Sequence, residues 1–335
     1  MSTFDVYALG NALVDREYRV SDNFLSEHGI QKGMMTLIDE AQRHQLLQAL
    51  DREFGCIKQA SGGSAANSII AVAALGGRAF YACRVAADAH GDFYAADLQA
   101  AGVYSNLDHQ RPEGHTGTCL VMVTEDAERT MHTHLGITAD VSEEDVVIDA
   151  LQASQWLYLE GYLAPSSSAR QAVGHARQLA RKSGVKIALT CSDPSMVTYF
   201  RDSLLGMIDD GVDILFCNEE EALGLSGCSD LESALEPLSS HSHEIVVTRG
   251  REGALVLHQG QRIHIPAFVV SPIDTNGAGD MFAGCYLFGR CRGMSPHEAG
   301  LLASRASAEV VCQFGPRLPL HRYVELLEEH RASLV

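Results

Sequence analysis

The chain has 335 residues, 46% of them hydrophobic and 20% charged, which is globular composition with length enough for one large core and a smaller appended unit. Lys plus Arg number 25 against 43 Asp plus Glu, a net charge of -18. With no basic run of five or more, nucleic acid and anionic membrane are excluded as natural partners, and any bound phosphate must be met locally by backbone amides, a metal and a few cations. The nine cysteines are scattered singly between Cys56 and Cys312 without a C-x-x-C pair, the pattern of reduced core thiols in a cytosolic protein. The start Met-Ser-Thr-Phe-Asp lacks a basic n-region and an apolar h-region, and no apolar run approaches the ~18 residues of a membrane span. A cytoplasmic protein is expected.

Residues 4–9 form a short apolar run ending at Gly10, the pattern of a buried strand that delivers residues 11–15 to a sheet edge. Residues 18–38 depart from it, with Gly29, Gly33 and a second extended stretch at 34–38. Asp39 and Gln42 then make a capping box for a helix. From Ser64 the pattern alternates: a helix to Leu75, a strand at 79–83, a helix through 97–101. Two extended stretches, 119–124 and 130–135, interrupt around the polar turn 125–128, and we group them with 34–38 in a small lid sheet.

Alternation resumes with a strand at 156–159, a helix at 169–181 stopped by Gly184, and strands at 187–190, 214–217, 245–248 and 254–258. Helices open near Ala278, Pro296 and Tyr323. Such alternation predicts an α/β doubly wound sheet. The expected division is a large α/β unit over 1–11, 39–115 and 136–335, with a β lid over 12–38 and 116–135.

The segment Asp274-Thr275-Asn276-Gly277-Ala278-Gly279-Asp280 is a small-residue turn feeding an apolar helix. Gly277, Ala278 and Gly279 leave the first amides of that helix unobstructed, and those amides together with the helix dipole suit an anion such as a transferring phosphate. Asp280, at the helix start, can accept a proton from an attacking hydroxyl, or it can simply cap the helix. Ser61-Gly62-Gly63-Ser64-Ala65-Ala66-Asn67 again opens a helix with glycines. Gly62 and Gly63 allow close approach of a ligand and Asn67 offers a donor and an acceptor to sugar hydroxyls; a plain tight turn with Asn67 exposed is the competing reading.

Asn218-Glu219-Glu220-Glu221 follows the strand 214–217, at the strand edge where ligands bind in open α/β sheets. Asn218 can reach a phosphate and Glu221 can hold hydrated Mg²⁺, or the acids can be an ordinary first helical turn. Thr248, Gly250 and Gly253 lie in a turn that can pass under a nucleotide or merely join two strands. A Walker motif and a G-x-G-x-x-G after the first strand are both missing, against a P-loop ATPase and a dinucleotide dehydrogenase. His132-x-His134 and His241-x-His243 lack a third nearby ligand, as surface histidines do.

Together, Gly62-Gly63 to Asn67 and Asp274 to Asp280 resemble the two signatures of the ribokinase-like (PfkB) carbohydrate and nucleoside kinases, in that family's order and separation. The resemblance implies a ribokinase-like doubly wound sheet with a small β-sheet lid, a phosphate acceptor bound between them, and ATP in a groove over the sheet edge. It implies Asp280 as base, Gly277 to Gly279 as anion hole, Asn218 and Glu221 near phosphate and magnesium, and Thr248, Gly250 and Gly253 under the nucleotide.

Within the family, Gly10 to Asp15 and the Asp-Thr-Asn-Gly-Ala-Gly-Asp run resemble those of adenosine kinases, which would put Asn11 and Asp15 at the ribose hydroxyls. Arg129 resembles the arginine that closes over the transferring phosphate, and Tyr162 lies in a segment resembling the base pocket. An exposed arginine in a polar turn and a tyrosine packed in the core are the alternatives. Ala86 stands where many members have glycine, and Cys285 where Ala or Gly is usual. The resemblance implies ATP and Mg²⁺ as cofactors, leaves a monovalent cation open, and leaves a homodimer through the lid open. A sugar kinase acting on ribose, fructose or a keto-deoxy sugar is the second expectation. A ligand-sensing homologue without turnover is a third, more remote one.

Overall fold

The computed structural model describes residues 3–108 and 111–333. The outermost ends of the unit expected over 1–11 and 136–335, and two residues within 39–115, lie outside the described residues.

The chain begins with β1 (Phe4–Leu9), β2 (Leu13–Arg19), α1 (Asp22–Glu27), β3 (Met35–Leu37), α2 (Glu40–Glu53) and β4 (Lys58–Gly62). It continues through α3 (Ser64–Ala74), β5 (Ala79–Ala82), α4 (Ala89–Ala100), β6 (Tyr104–Ser105), β7 (Gly117–Val123) and β8 (Arg129–His134). Next come α5 (Ile148–Gln152), β9 (Ser154–Glu160), α6 (Ser167–Ser183), β10 (Lys186–Thr190), α7 (Pro194–Ile208) and β11 (Val212–Asn218). The last third holds α8 (Glu219–Ser226), α9 (Leu231–Ser239), β12 (Ser242–Thr248), β13 (Ala254–His258), β14 (Gln261–Ile265), α10 (Ala278–Cys291), α11 (Pro296–Val310) and α12 (Leu320–Ser333).

Nine strands form one sheet in the order β14-β13-β12-β11-β10-β9-β1-β5-β6. The strands from β12 to β6 run parallel, and β13 and β14 close one edge antiparallel. The central strands read as continuous apolar runs because both faces are covered. On β9, Trp156 and Tyr158 enter the core beneath α3, α10 and α11, while Leu157 and Leu159 enter the core under α6 and α7. The chain leaves β1 and returns to β5 on one side and β9 on the other. That reversal is the switch point at which an open α/β sheet leaves a crevice beyond its carboxyl strand ends.

A second sheet has the order β3-β8-β7-β2-β4. Its strands β2, β3, β7 and β8 fall within 12–38 and 116–135, but β4 joins them by pairing antiparallel with β2, Gly62 opposite Leu13. The sequence places 58–62 with the large unit because Lys-Gln-Ala-Ser-Gly carries no apolar alternation. The partner strand supplies the pairing instead. Helices α1 and α2 cover one face of this sheet, with Phe24, Leu25, Leu46 and Leu50 packed on Tyr18, Leu120 and Met122. Its other face looks onto the carboxyl edge of the large sheet. Among the described residues no helix is long and apolar enough to cross a membrane.

Candidate active site

The carboxyl ends of β1, β9, β10, β11 and β12 converge with the inner face of the small sheet around a cavity of about 280 Å³. One end is polar, with Asn11, Asp15, Asn67 and Asp280; Leu13, Met35, Leu37, Met131 and Leu135 from the small sheet and the stretch after it form an apolar wall. A second cavity of about 410 Å³ opens behind the turn before α10, lined by Thr248, Gly250, Gly253, Phe268, Val270 and Val311. Thr248, Thr275, Ala278, Gly279 and Phe282 line both cavities. The small-residue turn is thus the partition between two binding spaces.

That turn has its form for a local reason. Gly277 takes φ +73°, in the left-handed region, and a side chain there would strike Pro316. Nothing lies within 4 Å of where a Cβ of Gly279 would stand. The amides of Gly279 and Asp280 fall in the first turn of α10, where intrahelical acceptors are lacking, so they are available to an anion.

Asp280 receives Ser64 Oγ–H on Oδ1 at 2.6 Å and Asn67 Nδ2–H on Oδ2 at 3.0 Å. Burial raises its carboxyl above the ordinary range, while Ser64, Asn67 and the Arg129 guanidinium pull it back. Gly284 permits this meeting of helices, since a side chain there would strike the Ser68 carbonyl oxygen of α3, while Gly62 and Gly63 let the start of α3 lie close against Asp15 and Asn11. A side chain on Gly62 would overlap the Asp15 carboxylate, and one on Gly63, at φ +100°, would overlap the carbonyl oxygen of Asn11. Gly62 therefore sits behind Asp15 rather than in the cavity wall.

Asp15 is 5% exposed, and burial pushes its carboxyl well above the usual range, with neighbouring Glu17 adding to the rise and Arg317 opposing it. Asn11 is buried; its Nδ2 donates to the Tyr162 carbonyl at 3.0 Å, and its backbone N–H donates to Glu160 Oε1 at 2.6 Å. The other oxygen of Glu160 accepts from Ala65 N–H, the first turn of α3, at 2.7 Å. Burial lifts Glu160 to about 7 against the pull of those two amides. Tyr162 lies partly buried in the cavity wall. Arg129 reaches in from β8 and donates to Asn276 Oδ1 at 3.3 Å. It forms no ion pair among the described residues, which leaves its charge for an anion.

Asn218 caps α8 and shares a capping box with Glu221: Glu221 accepts from the Asn218 backbone at 2.9 Å and from its amide at 3.0 Å. Burial raises the Glu221 carboxyl to about 8. Asn218, Glu221 and Thr248 line the first cavity, whereas Gly250 and Gly253 line the second. Of the two unusual residues, Ala86 is fully buried and donates its N–H to Thr116 Oγ1 at 3.0 Å. Cys285 is buried in α10 with its thiol 3.7 Å from Met281 Sδ, away from the cavities.

Three residues in or behind the site have no role of their own in the sequence: Asn276 stands there only as part of the Asp274 to Asp280 turn, and Glu17 and Arg317 lie behind the cavity wall. Glu17 is 1% exposed and raised to about 7 by burial and by Asp274. Asn276 bridges Arg129 and, at 3.5 Å, Glu17. Arg317 contacts Asn67 and Asp97 from the loop before α12. Glu17 had a legible signal, since Leu13, Asp15 and Glu17 share one face of a strand that should be half-buried. Arg317 had none, because its partners lie more than 200 residues away in sequence.

Two cavities separated by an amide-rich turn, with a carboxylate in one of them, define an ATP-dependent phosphotransferase. The chain belongs to the pfkB family of carbohydrate kinases, whose model matches residues 32–322. It is similar to the adenosine kinase of Sinorhizobium meliloti, with 37% identity and a TM-score of 0.92 over 98% of this chain and 99% of that one. It is also similar to a structure described as a "probable sugar kinase protein" from Rhizobium etli CFN 42, with 35% identity and a TM-score of 0.94 over the whole of both chains. The ribokinase of Mus musculus is 27% identical over 237 residues, 68% of this chain and 70% of its own.

Proposed function

We propose that this kinase transfers the γ-phosphoryl group of ATP to the 5′-hydroxyl of a ribonucleoside, adenosine being the acceptor the cavity suits best. The observation that carries the reading is the two-ended first cavity: ribose-sized polar groups at Asn11, Asp15 and Asn67, and an apolar wall of Leu13, Met35, Leu37 and Met131 next to Tyr162. A purine fills the apolar end, which a monosaccharide leaves unfilled.

In this assignment Asp280 takes the hydroxyl proton while the ribose oxygen forms its bond to phosphorus and the bond to the β-phosphate oxygen breaks, releasing ADP. The free amides of Gly279 and Asp280, presented by the turn Gly277-Ala278 whose Ala278 N–H is already given to the Thr275 carbonyl, and the Arg129 guanidinium receive the charge on the moving phosphoryl group. Gly62 and Gly63 give Asp15 and Asn11 the room to approach the acceptor. Asn218 and Thr248 serve the phosphates, and Gly250 and Gly253 the nucleotide over the second cavity.

Glu221 suits a hydrated Mg²⁺: it is a buried carboxylate whose two oxygens are already engaged by Asn218, so a water-mediated contact fits better than direct ligation. Bound with ATP, the ion would offset phosphate charge. The small sheet serves as a lid over the acceptor. Because α1 and α2 occupy its outer face, a homodimer through it would use the edges at β3 and β4.

The reading is tested by competition between adenosine and ribose at equal concentration with Mg-ATP, following each phosphorylated product. Adenosine is expected to win by at least ~10-fold in kcat/KM, corresponding to ~1.4 kcal/mol from burying the base. Preferential labelling of ribose would leave a sugar kinase, which the same polar end also accommodates.

A further inference from the structure

The loop between α11 and α12 sends one guanidinium into the site from behind. Arg317 Nη1 donates to Asp97 Oδ2 of α4 at 2.8 Å, Nη2 to Ser61 Oγ of β4 at 2.9 Å, and Nε to Asn67 Oδ1 of α3 at a longer 3.4 Å. Asp97 Oδ2 also accepts the Ser61 backbone N–H at 3.0 Å. The loop itself is pinned: Gly315 N–H donates to Asp274 Oδ2 at 2.9 Å and Lys58 Nζ to the Phe314 carbonyl at 3.2 Å. Arg317 is therefore tied to both Gly-rich segments, and only 13% of its side chain is exposed.

We propose that Arg317 is a positioning residue for Asp280, holding the Asn67 amide with its oxygen toward the guanidinium and its N–H toward the carboxylate. The orientation follows from the partners. Turned over, the amide would put its oxygen against the Asp280 carboxylate and its NH₂ against a guanidinium that only donates, losing both hydrogen bonds. A fork is required because three donors must diverge in one plane to three elements; a lysine can keep the pairing with Asp97 but lacks the Nε–H that orients Asn67.

The consequence reaches Asp280 through the amide. Asn67 N–H and Ser64 O–H favour its charged form, and Arg129 from β8 does so through space, against burial. Facing the same space are Asp15 from β2, Tyr158 and Glu160 from β9, and Tyr162 beyond it, each of which feels the Asp280 charge. Losing the amide donor shifts the balance toward the protonated acid.

This inference rests on the reading of Asp280 as the base, but its test does not depend on turnover. The Asp280 carboxyl is titrated by ¹³C NMR in the ligand-free full-length protein, assigned against Asp280→Asn, in wild type, Arg317→Lys, Asn67→Ala and the double variant, alongside pH–kcat profiles. Arg317→Lys is expected to raise the Asp280 midpoint by about one pH unit. The acid limb of kcat should move by the same amount with KM for ATP unchanged, and Arg317→Lys should add no further shift in the Asn67→Ala background. Arg317→Gln serves if the lysine variant does not fold. A midpoint unmoved in a folded variant, or shifts that add in the double variant, would overturn the proposal. If wild type phosphorylates no acceptor, the kinase assignment fails while the titration still decides the role of Arg317.

Discussion

Ser64 and Asp280 meet across the N-terminal turns of two helices 216 residues apart in sequence, with the serine hydroxyl 2.6 Å from the carboxylate. The contact makes one site of two motifs that each have an innocent reading alone. If Asp280 is the base, Asp280→Asn keeps the site's shape and the Ser64 contact but cannot take a proton. kcat should fall roughly 10²- to 10⁴-fold with little change in acceptor or ATP affinity. Single-turnover kinetics check this, and a rate within a few-fold of wild type would remove Asp280 from that role.

Asp15 is buried above Gly62 next to a second acid, Glu17, so its charge costs stability in the empty site and gains most when hydroxyl donors arrive. Asp15→Ala should weaken acceptor binding by ~1.5 to 3 kcal/mol while ATP affinity holds. Removing a buried acid whose ionisation burial and Glu17 oppose should also leave the melting temperature of the empty protein no lower than wild type. Calorimetric titration of both ligands tests the split; equal losses for acceptor and ATP would contradict it.

Seven of the nine strands of the large sheet and the helix at Ala278 were readable because each is specified locally, by an apolar run or by glycines before a helix, whereas the two-residue β6 and the polar β14, Gln-Arg-Ile-His-Ile, carry no apolar run. The turn before α10 and the α3 N-terminus were readable for the same reason. What stayed hidden depends on partners. The strand β4 carries no alternating pattern and is a strand because β2 pairs with it. Arg317 acquires its role through contacts that only the folded chain makes, and no local period announces it, whereas Glu17 shares the period-2 face of Leu13 and Asp15 on β2. The reading of 18–38 as an excursion passed over α1, a helix of six residues held by its Ser21 cap and by Phe24 and Leu25 in the core of the small sheet.

The buried acids make stability depend on pH in a specific window. Glu17 and Glu160 are raised to about 7 and Glu221 to about 8, so the folded protein holds protons that the unfolded chain has released. Stability then falls as pH rises through these values. Below about 6.5, His90, His132 and His134, lowered by burial, act in the opposite sense. The clean window is therefore pH 6.5 to 8, where the melting temperature of the ligand-free protein should decline with rising pH. Glu221→Gln should flatten the upper part of that decline. A melting temperature that rises across the window would contradict the raised carboxyls.

Leu37 decides whether the apolar wall serves a ligand or only packs the small sheet. It is 40% exposed, at the sheet edge, and its neighbour on the same face, Met35, is only partly buried, whereas Met131 at 8% is part of the sheet's own core. An exposed leucine lining a cavity contributes little to folding, so Leu37→Asn should change the melting temperature by no more than a degree or two. Its effect should appear when a base covers it. Losing roughly 1 to 1.5 kcal/mol of apolar contact raises KM for adenosine on the order of 5- to 10-fold. Ribose, bound at the Asp15 end, should keep its KM and its kcat. Steady-state kinetics of the two acceptors on the one variant make the comparison, and an equal loss for both would show that Leu37 shapes the lid rather than the pocket for a base.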